Sequence, residues 1–204
     1  MSSFDERAAT WDDETKIERA RVVAEAVRRA VPLTGSTRVL EYGAGTGLVS
    51  QELASGVGPI TLADPSAGMR EVMHGKVASG ALPATARVWD LDLSAGDVPG
   101  ERFDLIVSVM TLHHILDLAP VFDGFARLLD DGGRLCVVDL VKEDGSFHQG
   151  RDFHGHNGFD TDDLTARLAS AGFTGVHVEQ VHEVVKDGAA YPLFMAVGTR
   201  APRP

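Results

Sequence analysis

Short apolar runs alternate with amphipathic stretches along most of the chain. Seven of the runs have the length and the β-branched or aromatic content of strands that are buried in a sheet. Several of the stretches between them repeat apolar residues at helical spacing, and strands that alternate with helices predict an α/β fold. The predicted strands cover residues 39–42, 59–63, 88–93, 103–110, 134–140, 176–186 and 191–199.

The predicted helices follow from apolar residues that recur every three or four positions. Residues 15–30 form the clearest amphipathic helix, which Pro32 and Gly35 end. Further helices are expected over 48–54, over 121–129 and from Thr161, a residue typical of a helix N-cap. Near the start of the chain, Phe4 and Trp11 are seven positions apart, so one helical face can carry both rings.

The most informative stretch is 39–50, in which an apolar run stops at Gly43, Gly45 and Gly47 and a helical segment follows. This order predicts a buried strand, a tight turn and a helix. Glycines at such a turn allow a ligand to approach the backbone, and the free N–H groups of the following helix then face that ligand. Glu41 lies at the end of the strand, where a carboxylate can receive a cationic group. A purely structural glycine turn is the alternative.

Composition limits the classes of partner. The 204 residues are 44% hydrophobic, which suits one domain over 1–204, and the net charge of −11 disfavours nucleic acids and anionic membrane surfaces. No apolar run approaches the roughly 20 residues of a membrane span. No signal peptide is visible, and the single cysteine, Cys136, lies in an apolar run. Both observations lead us to expect a cytoplasmic protein with a buried thiol.

Several motifs occur in the same order as in one known family. The E-x-G-x-G-x-G pattern of 41–47 resembles motif I of the class I S-adenosylmethionine (SAM)-dependent methyltransferases, and it differs from the G-x-G-x-x-G of dinucleotide-binding folds. The small-molecule branch of this family, which includes ubiquinone- and menaquinone-type enzymes, is the most similar. Its other motifs here are F-D-x-x-A-x-x-W-D at 4–12, D-x-S-x-x-M at 64–69, F-D-L-I-x-S-x-x-x-L-H-H-I at 103–115 and D-G-G-R-L-x-V-x-D at 131–139.

The resemblance implies a doubly wound, mostly parallel seven-stranded sheet with an antiparallel last strand and an N-terminal helical lid. It implies one methyltransferase domain, in which 1–31 form the lid and 141–160 cover the acceptor. The expected reaction is direct in-line transfer of the methyl group of SAM to a small-molecule acceptor, which leaves S-adenosylhomocysteine. We expect a monomer or a homodimer. A nicotinamide-dependent oxidoreductase and a non-catalytic SAM-binding protein are the alternatives.

The resemblance also implies which residues hold SAM. Asp64 binds the ribose hydroxyls, Met69 lies against the adenine, and Trp11 covers the methionine end. Asp90 and the N–H of Leu91 contact the adenine, although Asp92 competes with Asp90 for this role. The remaining expected contacts come from the end of the first strand, the glycine turn, the residues after Asp64 and the carbonyl groups at the end of the fourth strand: Glu41, Gly43, Ala44, Gly45, Gly47, Pro65, Ser66, Ser108 and Val109.

Histidines and aromatic residues are expected beside the acceptor. His114 or His154 can serve as a general base, since the pKa of imidazole is near neutral. Phe4, His113, Phe153 and His156 are expected to contact the acceptor. In an alternative that we favour for the histidine pair, one ring packs against the protein and only the other faces the cavity. His148, His154 and His156 lack the spacing of a known metal site, so no metal is predicted.

Overall fold

The computed structural model of the protein describes residues 3–148 and 153–202. Within these ranges, seven strands form one sheet in the order β3-β2-β1-β4-β5-β7-β6. Strands β1 to β5 are parallel, whereas β7 runs antiparallel to both of its neighbours. The predicted fold class is therefore confirmed. The strands are β1 (Val39–Tyr42), β2 (Ile60–Ala63), β3 (Arg87–Trp89), β4 (Phe103–Val109), β5 (Leu129–Leu140), β6 (Phe173–Lys186) and β7 (Ala189–Arg200).

Helices cover both faces of the sheet, which explains why the central strands are apolar on both sides. The helices are α1 (Ser3–Arg7), α2 (Glu14–Ala30), α3 (Leu48–Leu53), α4 (Ala67–Ser79), α5 (Ala119–Leu128) and α6 (Thr161–Ser170). Residues of α2, α3 and α4 share one apolar cluster with one face of the sheet, and residues of α5 and α6 share a second cluster with the other face. Cys136 lies fully buried in the first cluster.

Several predicted boundaries were wrong, among them the starts of α5 at Ala119, predicted at residue 121, and of β6 at Phe173, predicted at residue 176. Two further ones were wrong because backbone groups found partners that the pattern did not indicate. Strand β5 begins at Leu129, five residues before the predicted start, and its pairing with β4 shifts register between Phe103 and Leu105. Helix α6 is capped by Asp160, whose carboxylate accepts the N–H groups of Asp162 and Asp163, so Thr161 is the first helical residue and not the cap.

The N-terminal segment breaks into short pieces before α2. Helix α1 ends at Arg7 and a 3₁₀ turn covers Ala8–Thr10, so no single helix carries both Phe4 and Trp11. The two rings still contact each other, with their centroids 5.8 Å apart. Among the residues described, no helix has the length and apolar character needed to cross a bilayer.

Candidate functional site

A cavity of about 730 Å³ lies where β1, β2 and β4 end. This is the edge at which open α/β sheets place their ligands. The N-terminal segment and the start of α2 close it from above. Twelve of the predicted site residues line it: Phe4, Trp11, Glu41, Gly43, Ala44, Gly45, Asp64, Pro65, Ser66, Met69, Val109 and His114; His154 joins them at the rim. Gly47, Asp90, Leu91, Ser108, His113, Phe153 and His156 are outside this lining.

The glycine turn between β1 and α3 is shaped mainly by protein contacts. Gly43, Gly45 and Gly47 all have positive φ, between 56° and 79°, which disfavours any side chain. A Cβ on Gly43 would lie 2.2 Å from the Thr111 side chain, and one on Gly47 would lie 2.6 Å from Leu62. Protein side chains therefore require glycine at two of the three positions, and Gly43 also lines the cavity. Gly45 lies under the Trp11 indole.

Glu41 is buried at the end of β1 and faces both the cavity and α3. Its carboxylate accepts the N–H of Ser50 in the first turn of α3, at 2.9 Å. Burial is the main reason that its pKa rises to about 7, and the hydrogen bond from Ser50 opposes this only partly. A cationic group in the cavity would favour the ionised form.

Asp64 follows β2 and fixes the turn opposite Glu41. One carboxylate oxygen accepts the N–H of Gly45 at 2.8 Å, and the other accepts the N–H of Ser66 at 2.8 Å. Its pKa is raised, mainly because the carboxyl group is buried. An ionised carboxylate has about four acceptor positions, so two of them remain for a ligand.

The N-terminal segment is attached to the rest of the site by two aspartates that sequence analysis did not single out. Asp5 accepts hydrogen bonds from the Ser66 hydroxyl at 2.6 Å and from the Gly68 N–H at 3.1 Å, at the start of α4. Asp12 accepts from the Thr46 hydroxyl and forms a 2.7 Å ion pair with Lys76. Both aspartates belong to the F-D-x-x-A-x-x-W-D motif, which could have indicated them.

The end of β3 places Asp92 at the cavity and turns Asp90 away from it. Asp92 lines the cavity together with Ser94, whose N–H and hydroxyl it accepts. Asp90 is exposed and forms a 2.8 Å ion pair with Arg70 of α4. The competing candidate, Asp92, is therefore the acid that shares the cavity lining with the buried Met69.

The two adjacent histidines have different surroundings. His113 is buried, and its Nδ1 lies 2.6 Å from a carboxylate oxygen of Asp139 at the end of β5. A carboxylate accepts, so Nδ1 carries the proton. The backbone carbonyl of His113 accepts the N–H of His156 at 2.7 Å, which holds the segment after Phe153 against the site. One ring of the pair thus packs inside the protein, and the other faces the cavity.

The His114 ring is accessible because it lines an open cavity, yet other rings surround it. Its centroid lies 4.1 Å from that of His113, 5.1 Å from that of Phe4 and 5.5 Å from that of His148. Desolvation, followed by charge on His113 and His148, lowers the pKa of His114 to about 3. The ring is therefore neutral near pH 7 and offers a hydrogen-bond acceptor.

The described part of the segment predicted to cover the acceptor ends near the sheet, where Phe159 forms a parallel bridge with Val141. His154 is exposed at the rim, whereas His156 is partly buried and its Nε2 lies 3.2 Å from the Leu116 carbonyl. Phe153 stacks on His148, with the ring centroids 3.7 Å apart. Residues 149–152 of the predicted covering loop, and residues 1 and 2 of the predicted lid, lie outside the described part of the chain. No group of three or more metal-ligating side chains occurs among the residues of 3–148 and 153–202.

Comparison with known proteins decides the family. The family model described as a methyltransferase domain matches residues 15–178. The chain belongs to this methyltransferase family. An uncharacterized methyltransferase of Schizosaccharomyces pombe is 38% identical over 116 residues, which are 54% of this chain and 41% of that protein. A ubiquinone biosynthesis O-methyltransferase of Xylella fastidiosa is 32% identical over 123 residues, which are 59% of this chain and 48% of that protein.

Solved methyltransferase structures share the fold. Phosphoethanolamine N-methyltransferase 2 of Haemonchus contortus, in complex with S-adenosyl-L-methionine, superposes with a TM-score of 0.74. The match covers 88% of this methyltransferase-family chain and 52% of that chain, at 16% identity. The chain thus spans about half the length of each of these three relatives, and the structural likeness concerns the fold.

Proposed function

We propose that the chain catalyses methyl transfer from SAM to a small-molecule acceptor, within one domain that includes the N-terminal segment as a lid. This proposal rests mainly on two buried carboxylates, Glu41 and Asp64. They face the same cavity on either side of the glycine turn. Family membership and the β6–β7 strand pair count against a nicotinamide-dependent oxidoreductase.

The groups that line the cavity match the functional groups of SAM. Glu41 is a buried carboxylate whose ionised form a nearby cation would stabilise, and the α-ammonium group of SAM is such a cation. The free acceptor positions of Asp64 suit the two ribose hydroxyls. At the end of β3, Asp92 and Ser94 offer polar groups beside the Met69 thioether, which suits contact with an adenine ring.

The residues of this chain would position the reactants and exclude water. When bound, SAM supplies an activated methyl group on a cationic sulfur, so orientation and desolvation account for most of the required catalysis. Phe4 and Trp11 form an aromatic wall over the cavity, and such rings attract a cation. The attachment of Asp5 to α4, and of Asp12 to Thr46, holds this wall closed.

We assign different roles toward the acceptor to His114 and His154. His114, whose low pKa keeps it neutral, would accept a hydrogen bond from the acceptor but would retain a proton poorly. We therefore assign removal of a proton to His154, which reaches solvent at the rim. Turnover of the true acceptor should fall when His154 is changed to alanine and fall further in the double His114/His154 variant. Unchanged turnover in the double variant would contradict both roles.

Calorimetric titration of the purified protein with SAM, S-adenosylhomocysteine and NADH tests the proposed function. Saturable binding of the first two and none of the third is the expected result. Binding of NADH alone would contradict it. Acceptors can then be screened by the release of S-adenosylhomocysteine.

The Trp11 indole should contribute to donor binding, because it lies over Gly45 at the cavity. Trp11→Ala should weaken SAM binding about tenfold, as expected for a desolvated cation–π contact. Calorimetry provides the measurement, and Trp89→Phe is the control, since Trp89 packs on Phe103 away from the cavity lining. An equal loss in both variants would argue against a specific role for Trp11.

Donor binding should release a proton near neutral pH because of Glu41. Its pKa of about 7 lies above the ordinary 4.5, so the free carboxyl group is partly protonated there, and a bound ammonium group would ionise it. Affinity should therefore rise with pH up to about 7 and then level off. Titrations in two buffers with different ionisation enthalpies measure the proton, and Glu41→Gln should abolish the difference between them.

The raised pKa of Glu41 also makes the free energy of unfolding of the ligand-free protein depend on pH. The stability gained from protonated Glu41 is complete below pH 4.5 and is lost as the pH rises through about 7. The Glu41→Gln variant should therefore be less sensitive to pH in this window. If wild type and variant show the same pH dependence of unfolding, Glu41 does not titrate as described.

A further inference from the structure

His113 is held in place by a buried carboxylate, although it does not line the cavity. One carboxylate oxygen of Asp139, at the end of β5, lies 2.6 Å from Nδ1 of the His113 ring. The other oxygen accepts the backbone N–H of His113 at 3.3 Å. Because the carboxylate binds both the ring and the main chain of His113, the turn after β4 has a fixed position relative to β5.

Two contacts of His113 lead from this buried pair to the cavity. Its ring centroid lies 4.1 Å from that of His114, which lines the cavity. Its backbone carbonyl accepts the N–H of His156 at 2.7 Å, and the His156 ring adds a contact of 3.2 Å from Nε2 to the Leu116 carbonyl. His154, two positions before His156, lies at the cavity rim. Both histidines that face the cavity are therefore attached to His113.

Gly155 makes the second attachment possible. A Cβ at this position would lie 2.1 Å from the backbone carbonyl oxygen of His113 and 2.4 Å from Cζ of Phe153. A backbone oxygen cannot turn aside as the end of a flexible side chain can, so any other residue would push the segment away from the turn. The φ angle of Gly155 lies outside the left-handed region. The close approach to His113, and not the backbone conformation, therefore requires glycine here.

We propose that His113 and Gly155 are positioning residues for methyl transfer. His113, which Asp139 fixes, holds the ring of His114 in place, and its close contact with Gly155 holds His154 at the rim. This inference rests on the proposed function, which gives His114 and His154 their roles toward the acceptor. Position matters because a misplacement of about 1 Å can lower a rate about a hundredfold. His113 was expected from the sequence to contact the acceptor, whereas here it acts through its neighbours.

Histidine NMR of the ligand-free protein tests the two ring positions directly. The Cε1–H signals of His114 and His154 are assigned by their absence in His114→Asn and His154→Asn. They are followed between about pH 5 and 8, the range in which imidazole ordinarily titrates. Gly155→Ala is the test variant. Gly100→Ala is the matched control, because Gly100 also lies outside helices and strands and a Cβ there would meet nothing within 4 Å.

The wild-type His114 signal should stay constant across this range. Desolvation is the main reason that the pKa of His114 falls to about 3, and charge on His113 and His148 lowers it further. Arg7 acts in the same direction, and Asp139 opposes the change only partly. A His114 ring that becomes hydrated should instead titrate inside the range.

Gly155→Ala should produce this change. The Phe153 ring, whose centroid lies 5.5 Å from that of His114, would move away with the displaced segment and admit water. The His154 signal should shift as well, and Gly100→Ala should match wild type. A second pair of variants tests the buried anchor: both signals should lie closer to wild type in Asp139→Asn, which keeps an oxygen for the Nδ1–H group, than in Asp139→Ala.

Kinetics separate a positioning role from a merely structural one. For an acceptor found by the release of S-adenosylhomocysteine, kcat at saturating SAM should fall about tenfold to a hundredfold in Gly155→Ala. The affinity for S-adenosylhomocysteine should be unchanged, because Gly155 does not line the cavity.

Unchanged signals of His114 and His154 in Gly155→Ala would overturn the inference, and so would an equal change in Gly100→Ala. Altered signals with an unchanged kcat would overturn it as well, because the ring positions would then not matter for transfer. If S-adenosylhomocysteine binds to neither wild type nor Gly155→Ala, the proposed function fails. In that case the NMR comparison still decides whether His113 and Gly155 hold the two rings in place.

Discussion

Replacing Asp139 with alanine should lower the free energy of unfolding by about 3–5 kcal/mol, because it leaves three buried N–H donors without their acceptor at a cost of about 1–3 kcal/mol each. Asp139 is fully buried at the end of β5. Its carboxylate accepts hydrogen bonds from Nδ1 of His113 at 2.6 Å, from the His113 N–H at 3.3 Å and from the Leu140 N–H at 2.8 Å. Alanine leaves all three donors without this acceptor.

Urea unfolding followed by circular dichroism measures the loss. Asp130→Ala is the matched control, because Asp130 lies on the same strand but forms a more exposed ion pair with Arg38 at the opposite edge of the sheet. It should cost about 1 kcal/mol or less. A double-mutant cycle with His113→Ala should show coupling, since the two side chains share one hydrogen bond. Equal losses for Asp139→Ala and Asp130→Ala would contradict the role given to the pair.

Replacing Asp64 with alanine should weaken SAM binding by at least about a hundredfold, because hydrogen bonds to a charged group are worth about 1.5–3 kcal/mol and two would be lost. The same change removes the acceptor of the Gly45 and Ser66 N–H groups, so the glycine turn would also lose its fixed shape. Calorimetric titration with SAM gives the affinity directly.

Two variants separate these contributions. Asp64→Asn keeps the shape and one oxygen, so it should fall between wild type and alanine. Asp90→Ala is the control, since Asp90 is an exposed acid paired with Arg70, and it should change affinity by no more than about twofold. A larger loss in Asp90→Ala than in Asp64→Ala would instead support the adenine contact that the sequence assigned to Asp90.

The sheet was predictable because its strands are short apolar runs with helices between them. Residues 103–110 are apolar enough to require burial on both faces, and β4 indeed lies at the centre of the sheet. The position of such runs depends on local hydrophobicity, which the order of residues records directly. The antiparallel direction of the last strand was instead implied by the resemblance to the methyltransferase family.

The parts of the site that the sequence did not reveal depend on contacts between distant segments. Two acids flank Leu91, and only the ion pair of Asp90 with Arg70 on α4 leaves Asp92 for the cavity. The cap that Asp5 provides for α4 joins residues 61 positions apart in sequence.

The place of β7 in the sheet has a consequence for how the protein is made. Within the described ranges β6 pairs with β7, and β7 joins it to β5, although β6 is synthesised first. A growing chain therefore reaches residue 186 with fourteen residues of strand that have no place in the sheet. The sheet closes only when residues 189–200 leave the ribosome. Until then, β5 and β6 both present open backbone groups, so a stalled or shortened chain is exposed to the aggregation that unpaired strand edges promote.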